Sequence, residues 1–406
     1  MKQGGGFPVK VLGEQQFSFP GNWKIQLENT TDAYHFSVVH KPFLQSLDAE
    51  IEDLFSFLDG DGFVEDLGNG HSVMVMMPSL IKLDEDNGWK IHERFSALGR
   101  ACAENTARSR YAASSRRWGA RASNLNLFPN AACSLSFFRI LRPVSVEETH
   151  IRHIAIGMDG GPEEANQMRF RLHEHFQGPM GFGSPDDAEV WERVQRGTAG
   201  GPELDILVNR DKGLEKDGSN GLPRGNRYAR CLRHVEEGDE QMSAVMTAEK
   251  TISLQEAQEF IWLEADILDR ADYDVWLKLW IEDGHYVIPV ERDDDDFRNH
   301  LNILYDDASM RKMRTERLQG GFAISAVPAA RTIRLSSRFA VIESLPGALK
   351  VRSAMHLTED KFGRQRPFLA DVEHHLVRRD GKLLIHDKIV RLINSEGVLT
   401  SISYLS

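Results

Sequence analysis

Near the start of the chain two histidines, His35 and His40, stand five residues apart, with Asp32 three residues before the first. Two imidazoles and a carboxylate this close have the composition of a metal site. A site of two histidines needs a third protein ligand, whose identity decides the metal. The ordinary alternative is a pair of surface or core imidazoles, because two residue types alone are weak evidence. A zinc hydrolase of the His-Glu-x-x-His type is disfavoured, since no such pentapeptide occurs.

The backbone must then bring these groups together. Asn29 or Thr30 can N-cap a short helix on which Asp32 and His35, three residues apart, share a face. His40 does not fit that face: five residues advance an ideal helix by about 500°, leaving it roughly 140° round from His35. The helix must loosen or end between them, and Pro42 supplies a reason by disfavouring helical geometry at Lys41. A histidine at a helix end can turn back toward the one before it.

A candidate for the third ligand lies far downstream, in Gly178-Pro179-Met180-Gly181-Phe182-Gly183-Ser184-Pro185-Asp186-Asp187-Ala188-Glu189. Ser184 can be an N-cap with Pro185 in the first helical position, and the acids that follow favour the positive helix end. Capping accounts for both aspartates without a metal. The same geometry also holds a carboxylate rigidly at the mouth of a glycine-rich turn that can approach another element closely. Both roles are open for Asp187.

The second half begins afresh after a polar, glycine-rich stretch from Gly197 to Gly225 and the acidic Glu236-Glu237-Gly238-Asp239-Glu240. Two domains are expected, 1–241 and 242–406. Ser253 and Glu256 form a capping box, and Ala257, Phe260, Ile261, Ile267 and Leu268 give an apolar face at helical spacing. Arg338 to Ile342, Leu349 to Met355 and the segments flanking Asp380-Gly381 read as antiparallel strands, with that dipeptide a hairpin turn. Helices first and a curved antiparallel sheet afterwards suggest a cone-shaped α+β fold.

The run from Asn22-Trp23-Lys24 through Glu28-Asn29 to Asp32-x-x-His35-x-x-x-x-His40 resembles the catalytic-domain signature of the α subunits of Rieske-type aromatic-ring-hydroxylating dioxygenases. Leu127-Phe128-Pro129-Asn130, Leu141-Arg142-Pro143-Val144 and the glycine-rich Asp-Asp segment follow in family-like order. The resemblance implies a helix-grip, antiparallel-sheet catalytic domain. It also implies that His35, His40 and Asp187 are the 2-His-1-carboxylate ligands of a mononuclear non-haem Fe(II), Asp187 rather than Asp186 matching the family ligand. Such a site leaves positions open for dioxygen beside a substrate. Asp32 resembles the bridging aspartate that hydrogen-bonds a metal histidine and links it to the electron-donating cluster of a neighbouring subunit. Asn29 resembles a polar residue near the iron.

From about Met246 to the end, the chain resembles the small β subunit of the same enzymes. The carriers are Glu264-Ala265-Asp266-Ile267-Leu268-Asp269, Tyr273, Trp276, Glu282-Asp283 with Tyr286 and Pro289, and Ile303-Leu304-Tyr305-Asp306-Asp307 with Arg314 and Arg317. This implies a nuclear-transport-factor-like cone that assembles with α subunits, and no catalytic residue is expected in it.

Two departures shape the expected mechanism. A Rieske cluster uses Cys₂His₂ ligation, and the family provides it from a Cys-x-His and Cys-x-x-His pair. Of Cys102, Cys133 and Cys231 only the last has a histidine at either spacing, His234, so the pair is incomplete. The family also usually keeps α and β as separate chains. The expectation is a terminal oxygenase that receives electrons from a Rieske cluster on another chain, fed by ferredoxin or reductase from NADH, in a trimer-based oligomer. Its reaction would add dioxygen to an aromatic ring to give a cis-dihydrodiol. The alternative is a non-catalytic subunit or assembly protein, or a truncated fusion without activity.

The net charge of −12, negative in both halves, does not suit a nucleic-acid binder. The arginines at 108, 110, 116, 117 and 121, with Tyr111 and Trp118 among them, read as a solvated or subunit-contact face. No signal peptide or membrane-length apolar run is seen, so a cytoplasmic location is expected, and three cysteines argue against a disulfide scaffold. Neither His173/His175 nor His374/His375 is expected to chelate a metal, because the members of each pair point different ways. Asp293 to Asp296 reads as a solvated loop.

Overall fold

The computed structural model of the chain describes residues 7–32, 35–41, 63–76, 81–84, 88–91, 122–134, 136–161, 163–200, 219–221, 251–321 and 323–406. The arginine cluster at 108–121, the acidic run at 236–240 and the expected boundary at 241/242 lie outside them.

The first half contributes β1 (Val9–Phe19), β2 (Phe63–Gly68), β3 (His71–Met76), β4 (Ile81–Asp84), β5 (Gly88–Ile91), β6 (Ala122–Leu127), β7 (Ala131–Cys133), β8 (Phe137–Pro143), β9 (Thr149–Met158) and β10 (Ser219–Gly221). The second contributes β11 (Trp280–Pro289), β12 (Asn302–Asp306), β13 (Arg331–Leu345), β14 (Ala348–Lys361), β15 (Arg364–Arg379), β16 (Lys382–Leu392) and β17 (Val398–Thr400). A nine-stranded sheet runs β10-β2-β3-β6-β7-β8-β9-β1-β17, a six-stranded one β12-β11-β16-β15-β14-β13, and β4 pairs with β5 alone. Pairing is antiparallel except between β1 and β17 and between β11 and β16. The Ser184–Ala199 helix packs on β1. The fold is α+β, two largely antiparallel sheets with helices packed on them.

Local sequence explains the second sheet. The Leu254–Asp269 helix starts at Ser253 with both capping-box bonds made, and it buries Ala257, Phe260, Ile261, Ile267 and Leu268, so the helical-spacing expectation holds. Along β14, alternate residues from Leu349 to Leu357 are buried, the period-2 pattern of a half-buried strand. Asp380 and Gly381, at φ of 49° and 77°, form the tight turn between β15 and β16, since a two-residue hairpin of this type needs positive φ at both positions. Register shifts in β13 and between β15 and β16 bend these long strands, as bulges do.

The two halves share one core. β17 adds parallel to β1, placing Leu399 opposite Phe17. A single apolar cluster runs from Phe17, Phe19 and Trp191 through Trp276 and Val390 to Ile402 and Leu405. Each fully buried side chain of Leu or Ile size contributes about 1.5–3 kcal/mol. Among the described residues no helix is long and apolar enough to cross a membrane.

Candidate metal centre

The first site segment folds differently from the single capped helix expected of it. A helix spans Trp23–Asn29, N-capped by Asn22, whose side chain accepts from Lys24 N; Thr30 is its C-cap. Asn29 and Thr30 therefore end a helix rather than start one, because Asn22 has already captured the N-terminus. A second short helix, Phe36–Val39, runs from His35 to His40, which flank it as its caps. Asp32 Oδ1 accepts from His35 N at 3.2 Å, so the aspartate holds the turn that starts this helix. His40 does lie at a helix end, and its ring comes back to 5.3 Å from that of His35.

The second site segment also corrects a detail. Gly183, not Ser184, is the N-cap of the Ser184–Ala199 helix, and Asp187 N donates to Gly183 O. Ser184 is already helical, and its hydroxyl donates back to Gln177 O at 2.7 Å. From the first turn of this helix Asp187 faces the histidines. Its Oδ1 lies 3.2 Å from His40 Nε2 and 3.7 Å from His35 Nε2.

These three side chains are the group of potential metal ligands found among the described residues, their donor atoms all within 4.8 Å of one another. Ligands about 2.0–2.2 Å from a common ion and roughly at right angles or tetrahedral angles are about 2.8–3.6 Å apart, so the 3.2 Å distance to His40 suits a shared ion and the 3.7 Å distance to His35 lies just beyond that range. Asp187 Oδ1 is buried and receives no hydrogen bond of acceptable geometry. A buried carboxylate oxygen without a donor is costly; a cation at this point would satisfy it. The donor set therefore fits a 2-His-1-carboxylate metal.

The surroundings are apolar on one side and charged on the other. Phe36 and Phe176 stack at 5.9 Å, and both rings meet His40 edgewise, at 4.8 and 5.1 Å. Asn29 Nδ2 lies 3.2 Å from His35 Nε2, so the amide takes the lone pair that a metal would use. Asp32 Oδ2 lies 3.7 Å from His35 Nδ1 on the opposite side of the ring. Burial pushes the His35 pKa down, but the carboxylates of Asp32 and Asp187 outweigh it and the net shift is upward. Burial pushes Asp187 up, and His40, His35 and Arg139 outweigh it, leaving it below the usual carboxylate range.

A polar cluster behind Asp187 was not foreseen. Arg139, on a buried position of β8, donates to His153 Nε2 and to Gln177 Oε1, both at 2.8 Å. Burial lowers its pKa to about 10 and Asp187 opposes the shift. Burial and the Arg139 charge push His173 down to about 3, so it stays neutral. The readable signal was Arg139 itself, a charge at an alternate position between Phe137 and Leu141. His173 and His175 lie in a π-helical turn, His173–Gln177, the first against the His153 ring and the second with Nε2 3.3 Å from Tyr305 O. His374 and His375 also diverge, the first to Glu264 and the second to Asp387.

The family model for the ring hydroxylating alpha subunit (catalytic domain) matches residues 9–244, and that for the ring hydroxylating beta subunit matches residues 263–397. The chain belongs to the ring-hydroxylating dioxygenase family and joins α-type and β-type regions in one polypeptide. It is 30% identical over 228 residues to the anthranilate 1,2-dioxygenase large subunit of Acinetobacter baylyi, covering 47% of this chain and 42% of that protein. To the p-cumate 2,3-dioxygenase system small oxygenase component of Pseudomonas putida it is 27% identical over 144 residues, covering 34% of this chain and 77% of that protein. The chain thus spans less than half the length of the large-subunit relative. Among solved structures, naphthalene 1,2-dioxygenase with indole bound aligns with a TM-score of 0.40 at 20% identity, covering 48% of this chain and 44% of that one. The benzoate 1,2-dioxygenase beta subunit from Burkholderia mallei aligns with a TM-score of 0.33 at 21% identity, covering 38% and 99%.

Proposed function

We infer that the chain is the terminal oxygenase component of an aromatic-ring-hydroxylating dioxygenase, with His35, His40 and Asp187 holding a mononuclear Fe(II). The observation that carries this reading is the convergence of two imidazole nitrogens on a buried carboxylate oxygen that lacks a hydrogen-bond donor. Fe(II) in such a site supplies dioxygen activation beside a bound substrate, because three ligands on one face leave positions open. The family reaction adds dioxygen to an aromatic ring, giving a cis-dihydrodiol, with NADH as ultimate donor.

The chain's own residues have separable tasks. Asp32 fixes the His35 ring through its backbone and its flank and, as the bridging aspartate, faces the electron-donating Rieske cluster of a partner chain. Asn29 holds its amide against the His35 Nε2 lone pair, the one that would bind the ion. Phe36 and Phe176 keep water from the His40 side. Arg139 sets the field behind Asp187 and helps to keep that carboxylate charged. The working enzyme is a cytoplasmic, trimer-based oligomer in this reading, supplied by ferredoxin or reductase.

Anaerobic reconstitution with Fe(II) tests the assignment. About one tightly held iron per chain is expected, lost in His35→Ala, whereas a chain that retains no iron would overturn it. Reductase alone, without a Rieske partner, should support no hydroxylation; product formed under those conditions would refute the partner's role.

A further inference from the structure

The turn that delivers Asp187 is held from the other half of the molecule. Asp186, fully buried, accepts at Oδ1 from Arg317 Nη2 at 2.9 Å and from Ser325 N at 2.8 Å. Arg314 Nη1 donates to Met180 O at 2.6 Å while its Nε and Nη2 grip Asp306. Ile402 N donates to Pro179 O at 2.9 Å. The Phe182 ring lies under both guanidiniums, 5.0 Å from Arg314 and 5.5 Å from Arg317, and packs against Met310. Arg314, Arg317 and Met310 all lie on one helix, Ala308–Gln319.

On the other side of the same turn stand Asp187 and Phe176. A Cβ added at Gly183 would come within 2.7 Å of the Phe176 ring, and one at Gly181 within 2.5 Å of Phe176 O. The turn is thus closed tightly on the ring that meets His40. A shift of the Ala308–Gln319 helix must pass through Asp186 and Phe182 to Asp187 and Phe176, because these residues are consecutive or in contact.

We propose that Arg317, supported by Arg314, is a positioning residue for the metal centre: the β-type half sets the place of Asp187 by clamping Asp186. The proposal rests on the metal reading of His35, His40 and Asp187. It assigns the β-type region a part in the site, where the resemblance implied none.

The test compares three variants of the full chain. Arg317→Met removes the clamp, and Arg317→Lys keeps the charge. Lys388→Met breaks another buried pair of the same half, with Glu264, whose further bonds go to Trp276 and His374. Fe(II) affinity is measured anaerobically, with the absorption spectrum of the Co(II)-loaded chain as a reporter of ligand geometry. Removing a group that orients a metal ligand weakens affinity by about 10- to 100-fold. That loss and an altered Co(II) spectrum are expected for Arg317→Met, with partial recovery in Arg317→Lys. Lys388→Met should be less stable yet bind metal as the unmodified chain does. Unchanged affinity and spectrum in Arg317→Met, or an equal loss in Lys388→Met, would overturn the proposal. If Arg317→Met does not fold, Arg317→Lys decides: a spectrum and affinity identical to the unmodified chain's would overturn it. Failure of the unmodified chain to bind metal would instead remove the metal reading itself, and this proposal with it.

Discussion

Asp186 and Asp187 are neighbours with opposite destinations: Asp187 Oδ1 lies 3.2 Å from His40 Nε2, whereas Asp186 Oδ1 lies 2.9 Å from Arg317. Successive helical positions are about 100° apart, so one turn sends one carboxylate into each half of the molecule. Alanine substitutions should therefore separate stability from metal binding. Asp186→Ala leaves a buried guanidinium without its partner and should cost about 3–5 kcal/mol in urea unfolding of the metal-free chain. Asp187→Ala removes a carboxylate whose buried Oδ1 receives no hydrogen bond, so its cost should be about 1 kcal/mol or less while metal binding is lost. Equal destabilisation by the two would contradict this division.

Protons should compete with the metal at His35. Its pKa is raised above the ordinary 6.5, the two flanking carboxylates outweighing burial, and ligation requires the neutral imidazole. Affinity is then fully present above the raised pKa and falls as pH drops through it, the decline beginning above pH 6.5. Asp187, shifted downward, stays charged across that window. Calorimetric titration with Fe(II) should show binding at about pH 6 more than roughly fourfold weaker than at about pH 8, the ratio one competing proton with the ordinary imidazole pKa would give. Affinity that does not change between those values would rule out this coupling.

How much of this was legible depended on range along the chain. The Ser253–Glu256 box and the Asp380-Gly381 turn are complete within four residues and were read correctly. The start of the first helix was misread because Asn22 and Asn29 are both good caps, and only the bond from Lys24 N to Asn22 chooses between them. Which of two adjacent aspartates faces the histidines depends on Arg317, far along the chain, and no spacing argument within the Gly178–Glu189 segment could decide it. Resemblance favoured Asp187, and the geometry brings that residue to His35 and His40. Arg139 belongs to no motif, and only its alternation with Phe137 and Leu141 along β8 marks it as buried.

Gly183 should be intolerant for a reason that links packing to the site. Its backbone φ of −99° suits any residue, so the obstacle is contact: an added Cβ meets the Phe176 ring at 2.6 to 2.7 Å. Gly183→Ala should displace that ring from His40 and cost about 1–3 kcal/mol by overpacking, with weaker metal binding. Combining it with Phe176→Leu, which frees space, should recover part of the stability. A Gly183→Ala chain with unchanged urea midpoint and metal affinity would show that the turn has slack.

The seam between β1 and β17 predicts that the two halves unfold together. Leu399 is 2% exposed and sits opposite Phe17, and beyond it Ile402, Tyr404 and Leu405 are buried in the shared core. Gln15 Nε2, also on β1, donates to Asn302 O on β12, a second tie between the halves. Leu399→Ala deletes apolar contacts on both sides at once and should cost about 2–5 kcal/mol. Because the lost contacts belong to neither half alone, signals from each should shift equally. Trp191 reports on the first half and Trp276 on the second, so single-tryptophan variants retaining one or the other can be followed by fluorescence. Coincident urea transitions are expected in the parent background and, moved together to lower urea, in Leu399→Ala. Two separate transitions in the parent would mean that the shared core does not couple the halves, whereas a shift confined to one reporter would place Leu399 in that half alone.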